Sequence, residues 1–458
     1  MKNIIFSLIL LSMLLTSCMV GPHYTRPAIE TPPAYIHDTS VLASGTDTIL
    51  KWFMLFEDTI LNTLITDVLD ANTDIKIAVL RIEQSRAFFR MSKSDLLPSI
   101  GYSGEAEINY AARQEIDRMN PDAFSIMGIA SWEIDLWGKL RHAKRAAYAE
   151  LTASEETLKS IKTMLVSDAA NLYFQMRDLD NRIQVSEQTL QTRTQYYNMV
   201  YERFIKGEVS ELDKLQAEQQ LATVQATLSS LKRQLGYTER SLNVLLGQNP
   251  KTLPRGLSNI EQRTAPQIPS LLPSTLLEQR PDIRAAEEML KAETERIGIT
   301  QALRLPSFNL TSFFGLASSD LSSLLNGDAV MANLTGSILG PLFEFGKNKR
   351  RVEAQRKEAE IALTKYLNAY RKALGEVDNA LLAIQTYSDE FEARSRQASA
   401  ARKSLALSQE RYNSGYTDYL EVLVSETYMF DAEMLVSITR AQQLSATVSL
   451  YRALGGGW

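Results

Sequence analysis

The stretch Phe124 to Arg141, FSIMGIASWEIDLWGKLR, changes its period part-way along, and that change constrains the fold more than any other feature. Phe124, Ile126, Ala130, Trp132, Ile134 and Leu136 fall on even positions, while Ser125, Ser131, Glu133 and Asp135 fall on odd ones. A period of two describes a strand with one apolar and one polar face. At Gly138 the alternation stops, and from Lys139 a charged, Ala-rich helical pattern runs for about sixty residues. A two-faced strand feeding so long a helix is an unusual combination in a soluble enzyme.

The same plan occurs twice. Asp74-Ile75 matches Asp282-Ile283, an offset of 282 − 74 = 208 residues. At the same offset, Leu97-Pro98-Ser99 matches Leu305-Pro306-Ser307, Gly138-Lys139 matches Gly346-Lys347, and Leu246-Gly247 matches Leu454-Gly455. Glu202-Arg203 with Gly207 likewise matches Glu410-Arg411 with Gly415. Self-similarity at one gapless offset marks a tandem structural repeat. Because the offset is even, strand parity carries over: Phe308, Leu310, Phe314 and Leu316, then Leu334, Ile338 and Leu342, are again even and apolar. Upstream, Ile100, Tyr102, Ala106 and Ile108 are even, and a loop around Asn120-Pro121 joins them to the Phe124 strand as a hairpin.

The helices carry heptad seams. Leu151, Leu158, Leu165, Leu172 and Leu179 recur every seven residues, beside Ala169, Met176, Ile183, Leu190, Tyr197 and Phe204. Leu221, Leu228, Leu235 and Leu242 repeat the spacing on a return helix, as Leu423, Phe430, Ser437, Leu444 and Tyr451 do in the second copy. A strict seven imposes left-handed supercoiling. At 1.5 Å per residue the first long helix would be roughly 100 Å long, and Gly207 and Gly415 end the outgoing helices. The organisation expected is a signal peptide over 1–17, an extended tail over 18–55, and repeat 1 over 56–250. Repeat 1 holds strands at about 99–112 and 122–137 and helices at about 59–93, 139–206 and 208–247. A Pro-rich linker over 251–273 precedes repeat 2, 274–458, with strands at about 306–318 and 329–344 and helices at about 275–303, 347–414 and 416–454.

Four amphipathic strands per chain suit a membrane barrel, apolar towards lipid and polar towards a wet lumen. An open barrel would leave backbone groups unsatisfied in hydrocarbon, and four strands are fewer than the eight of the smallest barrels. The chain must therefore oligomerise; three copies would supply twelve strands. The fold class expected is mainly α with transmembrane β: two tandem repeats, a trimeric 12-stranded β-barrel and a long coiled-coil α-barrel.

Composition removes other classes. The net charge of −5 argues against a nucleic-acid surface, and no apolar run beyond the signal reaches the length of a transmembrane helix. His23, His37 and His142 are scattered without metal-ligand spacing, and no P-loop, dinucleotide fingerprint, nucleophile elbow or zinc motif is present. No enzyme, cofactor or metal site is expected. At the start, Lys2 and the apolar run Ile4–Leu15 read as a signal. Leu15-Thr16-Ser17-Cys18 resembles the lipobox of bacterial lipoproteins, and Cys18 is the only cysteine, so no internal disulfide can form. Met19 stands where an Asp would signal inner-membrane retention under the enteric-type rule.

Trp132 to Lys139 (WEIDLWGK), Arg280-Pro281-Asp282-Ile283-Arg284, Glu410-Arg411-Tyr412 with Gly415, Tyr419 to Leu423 (YLEVL) and the ending Leu454 to Trp458 (LGGGW) resemble the TolC-type outer-membrane factors. Val20-Gly21-Pro22, Tyr24 and Arg26-Pro27 resemble the OprM/NodT-like lipoprotein branch. The resemblance covers nearly the whole mature chain. It implies a homotrimer in outer-membrane lipid with a periplasmic helical extension, a periplasmic adaptor and an inner-membrane pump, most often of the RND type. The function implied is passive conduction in a tripartite efflux system; a type I protein-secretion channel and a non-conducting structural envelope lipoprotein are the alternatives. The exported substrate is not readable.

The resemblance also directs attention to the helix-hairpin turns at Gly207 and Gly415 as a periplasmic gate. Asp213 and Glu421 stand six residues past each glycine, so three chains would bring six carboxylates round one aperture. Tyr412 is implied as a donor towards Asp213. This sequence departs from the family in having Thr417 at a commonly basic tip position and Val424 at a commonly acidic one. Val424 is expected either to form an apolar constriction that gates partly by dewetting or to pack in the coiled-coil seam. Intact mass of the mature protein is expected to show acylated Cys18 as the first residue; a free amine there, or retention of Met1 to Ser17, would defeat the lipoprotein assignment.

Overall fold

A computed structural model describes residues 19–37, 56–108, 123–262 and 276–456. Cys18, the Asn120-Pro121 loop and the rest of the expected linker, from 263, lie outside the described residues. Seven helices of more than one turn are described: α1 Thr59–Ala71, α2 Thr73–Ser94, α3 Lys139–Ile205, α4 Glu211–Leu245, α5 Pro281–Ala302, α6 Lys347–Asn413 and α7 Tyr419–Ala453. Four strands accompany them: β1 Ser99–Glu107, β2 Ala123–Ile134, β3 Ser307–Ser318 and β4 Val330–Leu339. The repeat offset holds to the residue, since α2, α3 and α4 begin at 73, 139 and 211 and α5, α6 and α7 at 281, 347 and 419.

The folding units are not the repeats. One compact unit takes Met1–Ile29, Leu80–Glu155 and Ala285–Asn368, and the other takes Glu30–Val79, Glu156–Arg284 and Ala369–Trp458. Each therefore draws on both copies. The first unit contains the sheet, in the order β1-β2-β3-β4 and antiparallel throughout. In the second, Phe56, Leu61, Leu64, Ile65 and Val68 pack against Leu165, Ala169, Tyr173, Phe174 and Met176 of α3, with Leu242, Leu444, Val448 and Tyr451 closing the core.

Three expectations about element boundaries need correction. The helix expected over 59–93 is broken at Asn72, whose backbone is extended. Its carboxamide oxygen accepts from the Asp74 N–H at 2.7 Å, capping α2, while its NH2 donates to the Leu245 carbonyl at 2.9 Å. The helix expected over 275–303 breaks 208 residues later, at Arg280, because the residue before a proline avoids helical backbone and Pro281 suits a first turn. Arg280 repeats the same cross-contact by donating to the Ala453 carbonyl at 2.8 Å. β2 and β4 also stop earlier than expected, at Ile134 and Leu339. Asp135 turns its carboxylate to the Leu140 and Arg141 N–H groups, serving α3 instead of the ladder, and Pro341 has no N–H to offer.

The described part of the expected linker, 251–262, is packed. Asp58, 2% exposed, organises it: Oδ1 accepts from Ile60 N and Leu61 N, capping α1, and Oδ2 accepts from Tyr173 Oη (2.7 Å), Leu257 N (3.1 Å) and Gln262 Nε2 (2.7 Å). Tyr173 Oη in turn accepts from Gly256 N, and burial together with the Asp58 bond pushes its pKa far up. A Cβ on Gly256 would collide with Asp58, which explains the glycine. Asp58→Ala strips five donors of their acceptor and is expected to cost about 2–4 kcal/mol. Hydrogen exchange checks this: protection should be lost first in 251–262 and the start of α1.

Candidate functional site

The sheet is the first functional surface. Residues opposite each other in an antiparallel pair lie on one face, and here even numbers always oppose even: Ile100 faces Ala130, Ile126 faces Leu316, and Leu310 faces Gly336. The parity seen in the sequence therefore becomes one continuous face. Ile100, Tyr102, Ile126, Trp132, Phe314, Leu334 and Ile338 stand exposed on it. The odd face carries Glu105, Glu107, Ser125, Asn309, Thr311, Asn333 and Thr335, but Ile129 opposite Phe313 makes an apolar island there. Strands β1 and β4 each have one partner among the described residues, leaving two open edges.

The helix-hairpin turns belong to the other unit. Gly207 and Gly415 adopt φ of 75° and 76°, and each closes a Schellman motif. Glu208 N bonds to Arg203 O and Gly207 N to Phe204 O; Tyr416 N bonds to Arg411 O and Gly415 N to Tyr412 O. The side chains after the turns differ. Ser210 and Asp213 form a reciprocal capping box at α4, whereas the equivalent Asp418 makes no side-chain cap bond at α7. Glu421 instead accepts from Thr417 Oγ1 at 2.6 Å and pairs with Arg411 at 3.2 Å. Thr417, read as a departure from a basic residue, thus holds the carboxylate by a hydroxyl.

Asp213 and Tyr412 line one cleft of about 420 Å³, together with Tyr196, Arg203, Tyr419 and Leu420. Within the protomer the expected bond between Asp213 and Tyr412 is replaced by others: Tyr412 Oη accepts from Arg203 Nη1 at 3.2 Å, and Asp213 Oδ2 is held by Ser210. Tyr419 stacks on Tyr196 at 3.3 Å between centroids and takes Tyr412 edge-on at 5.2 Å. Burial raises the pKa of both Tyr196 and Tyr419, so these two stacked phenols keep their protons. Val424 is 43% exposed, in an open stripe with Leu420 and Tyr428 at helical spacing, while its neighbours Leu423 and Ser425 are buried.

A charged pair that sequence reading missed lies further along these helices. Arg193 and Glu426 are 3% and 4% exposed, with Nε 3.8 Å from Oε2. Arg193 also donates to the Gln220 carbonyl and amide oxygens and to Thr427 Oγ1, joining α3 to α4 and α7. The signal was present: the track of leucines at sevens continues through Ser186, Arg193 and Val200, placing a cation on a seam.

The chain as a whole is similar to known proteins. The outer membrane efflux protein family profile matches residues 64–248 and 272–456, two segments that begin and end 208 residues apart. The chain belongs to that family. It is 30% identical over 446 residues to the cation efflux system protein CusC of Escherichia coli K12, with 97% of each chain covered. It is 28% identical over 474 residues to the probable efflux pump outer membrane protein TtgC of Pseudomonas putida, covering 100% of this chain and 96% of the relative. A crystal structure of CusC superposes with a TM-score of 0.85 at 28% identity, covering 96% of this chain and 100% of that one. The open-state outer membrane channel MtrE of Neisseria gonorrhoeae gives 0.87 at 28% identity, over 96% and 98%. The protein is an outer-membrane efflux channel of tandem-repeat architecture with a periplasmic helical extension.

Burial raises the Glu426 pKa against the opposing pull of Arg193. The native state then binds the proton more tightly than the unfolded chain, and stability falls as pH rises through the carboxylate range. Glu426→Gln should remove that slope, melting higher than the parent at pH 8 and level with it near pH 4, as read by thermal unfolding in detergent.

Proposed function

We propose that three copies of this chain form the passive outer-membrane conduit of a tripartite efflux system, fed by a periplasmic adaptor and an RND-type inner-membrane pump. The observation that carries this reading is the sheet, with its exposed apolar even face and two open edges. In hydrocarbon each unpaired backbone group costs several kcal/mol, so the stable state is a closed ring, which three copies complete. No step in the conduit needs catalysis, since the pump supplies the energy. Substrate choice follows the pump; relatives serve a cation efflux system and a toluene efflux pump by name.

The N-terminal tail supports lipid anchoring at Cys18. Val20 N donates to the Trp137 carbonyl at 3.1 Å, where β2 passes into α3, and Tyr24 and Arg26 both bond Glu287, each at 3.0 Å. These contacts hold residue 19 beside the foot of the sheet, where acyl chains on Cys18 would enter the bilayer.

The gate lies at the turns, with Asp213 and Glu421 as carboxylates, Tyr412 as a cross-hairpin group and Val424 as an apolar constriction whose exposure leaves it free to line an aperture. Planar-bilayer recording tests the reading. The parent trimer should conduct weakly at rest, Val424→Asp should raise resting conductance several-fold and make it sensitive to divalent cations, and Tyr412→Phe should loosen closure. Intact trimers without any conductance would turn the assignment towards a structural envelope lipoprotein; variants indistinguishable from the parent would misplace the gate.

A further inference from the structure

The conduit reading requires β4 of one protomer to pair with β1 of its partner. Resting on that reading, we infer the register of the seam: Ser337 lies opposite Glu105 of the partner subunit, and Ile338 opposite Gly104 of the partner subunit.

The internal repeat supplies the register. In the first hairpin Ser99 faces Ser131, and 208 residues later Ser307 faces Leu339, so both hairpins are paired identically. The β2–β3 seam is where the first repeat meets the second, and it pairs Met127 with Gly315, Ile129 with Phe313, Ala130 with Ser312, and Ser131 with Thr311. Advancing β2 by 208 gives β4, and setting β3 back by 208 gives β1. The seam between protomers is then the seam within the protomer, repeated: Thr335 with Glu107 of the partner subunit, Ser337 with Glu105 of the partner subunit, Ile338 with Gly104 of the partner subunit, and Leu339 with Ser103 of the partner subunit. A ring of three two-repeat chains becomes six nearly equivalent hairpins.

Two further observations fit this register. The first is facial chemistry. The pairing keeps even opposite even, so both glutamates meet hydroxyls on the odd face. A slip by one residue would turn every β1 side chain over relative to β4, carrying Glu105 and Glu107 to the side of Leu334 and Ile338. Carboxylates facing hydrocarbon are costly. The second is the foot of the sheet. Within the protomer, Trp137 Nε1 donates to the Pro306 carbonyl at 2.7 Å, bridging the foot of β2 to the start of β3. The positions equivalent to that pair are Phe345 and Pro98. Phe345 is 90% exposed at φ 49°, uncommon for a bulky residue, and stacks edge-on with Phe343 at 4.5 Å. Leu97, beside Pro98, is 65% exposed. The same shift lays Phe345 against Leu97 and Pro98 of the partner subunit, covering apolar surface that the protomer leaves open. The indole hydrogen bond inside the chain is exchanged for an apolar contact between chains.

Cysteine pairs in the full chain, purified as trimers in mild detergent, test the register. Ser337→Cys with Glu105→Cys, and Ile338→Cys with Gly104→Cys, sample neighbouring positions on opposite faces. Position 104 accepts a Cβ, whose nearest neighbour would be 3.9 Å away. Mild oxidation should give reductant-sensitive covalent trimers from both pairs. Ser337→Cys combined with Ser103→Cys or with Glu107→Cys sets the thiols on the diagonal, about 7–8 Å apart, beyond the span of a disulfide. These should cross-link at least about tenfold less, and the parent, carrying Cys18 alone, not at all. Preferential cross-linking of a displaced pair in intact trimers overturns the register and leaves the conduit standing. Intact trimers in which no pair cross-links overturn the β4–β1 seam. Native mass showing only monomers of the parent removes the conduit reading itself.

Discussion

A strand in hydrocarbon has no water to bond its free edge, and this single constraint shapes the membrane part of the molecule. Among the described residues the sheet has four strands and two open edges, so in hydrocarbon its stability depends on those edges finding partners. It also places a demand on the repeat. The register where the first copy meets the second must bring the apolar positions of both hairpins to one side, and pairing Ile126 with Leu316 and Trp132 with Leu310 does so, letting one face pass without interruption from β1 to β4.

The helical unit solves a different problem, since long heptad seams leave sliding weakly opposed. Polar anchors set the alignment at both copies of one joint. Asn72 binds the end of α4 through the Leu245 carbonyl, and Arg280 binds the end of α7 through the Ala453 carbonyl. The side chains differ while the acceptor positions correspond, so the joint is kept by the backbone carbonyl. Asp58 adds a satisfied hub with no counterpart in the second copy, where position 266 is a proline. Arg193 with Glu426 adds a buried charged pair to the seam, a device better suited to specifying alignment than to adding stability.

The two hairpin turns share a backbone and differ in how they are held. A reciprocal capping box closes the first, its partners Ser210 and Asp213 three residues apart. The second relies on Thr417 and Arg411 reaching a half-exposed Glu421, bonds of the kind worth at most about 1 kcal/mol at a surface. Moving elements are drawn from the less stable end of a structure, and the second turn is the one that fits that description.

The repeat, the strand parity and the long helices were legible in the amino-acid sequence because each is periodic: one offset, a period of two, a period of seven. Gly207 and Gly415 were legible because a left-handed helix end selects glycine. The resemblance, not any period, pointed to the turns as a candidate site. The break at Asn72 was hidden, because an asparagine inside a periodic apolar stretch can also sit within a helix, and the contact that ties this break to the core, with the Leu245 carbonyl, is 173 residues away. The segment 251–262, with Pro254, read as part of a loose linker until Asp58, Asn259, Gln262 and Arg440 tied it into the core. The Asp58 bonds join residues 115 and 204 positions apart, and no local pattern records a partner that distant. Periodic order is written along the chain; polar pairing across it is decided only when folding brings donor and acceptor into one dry place.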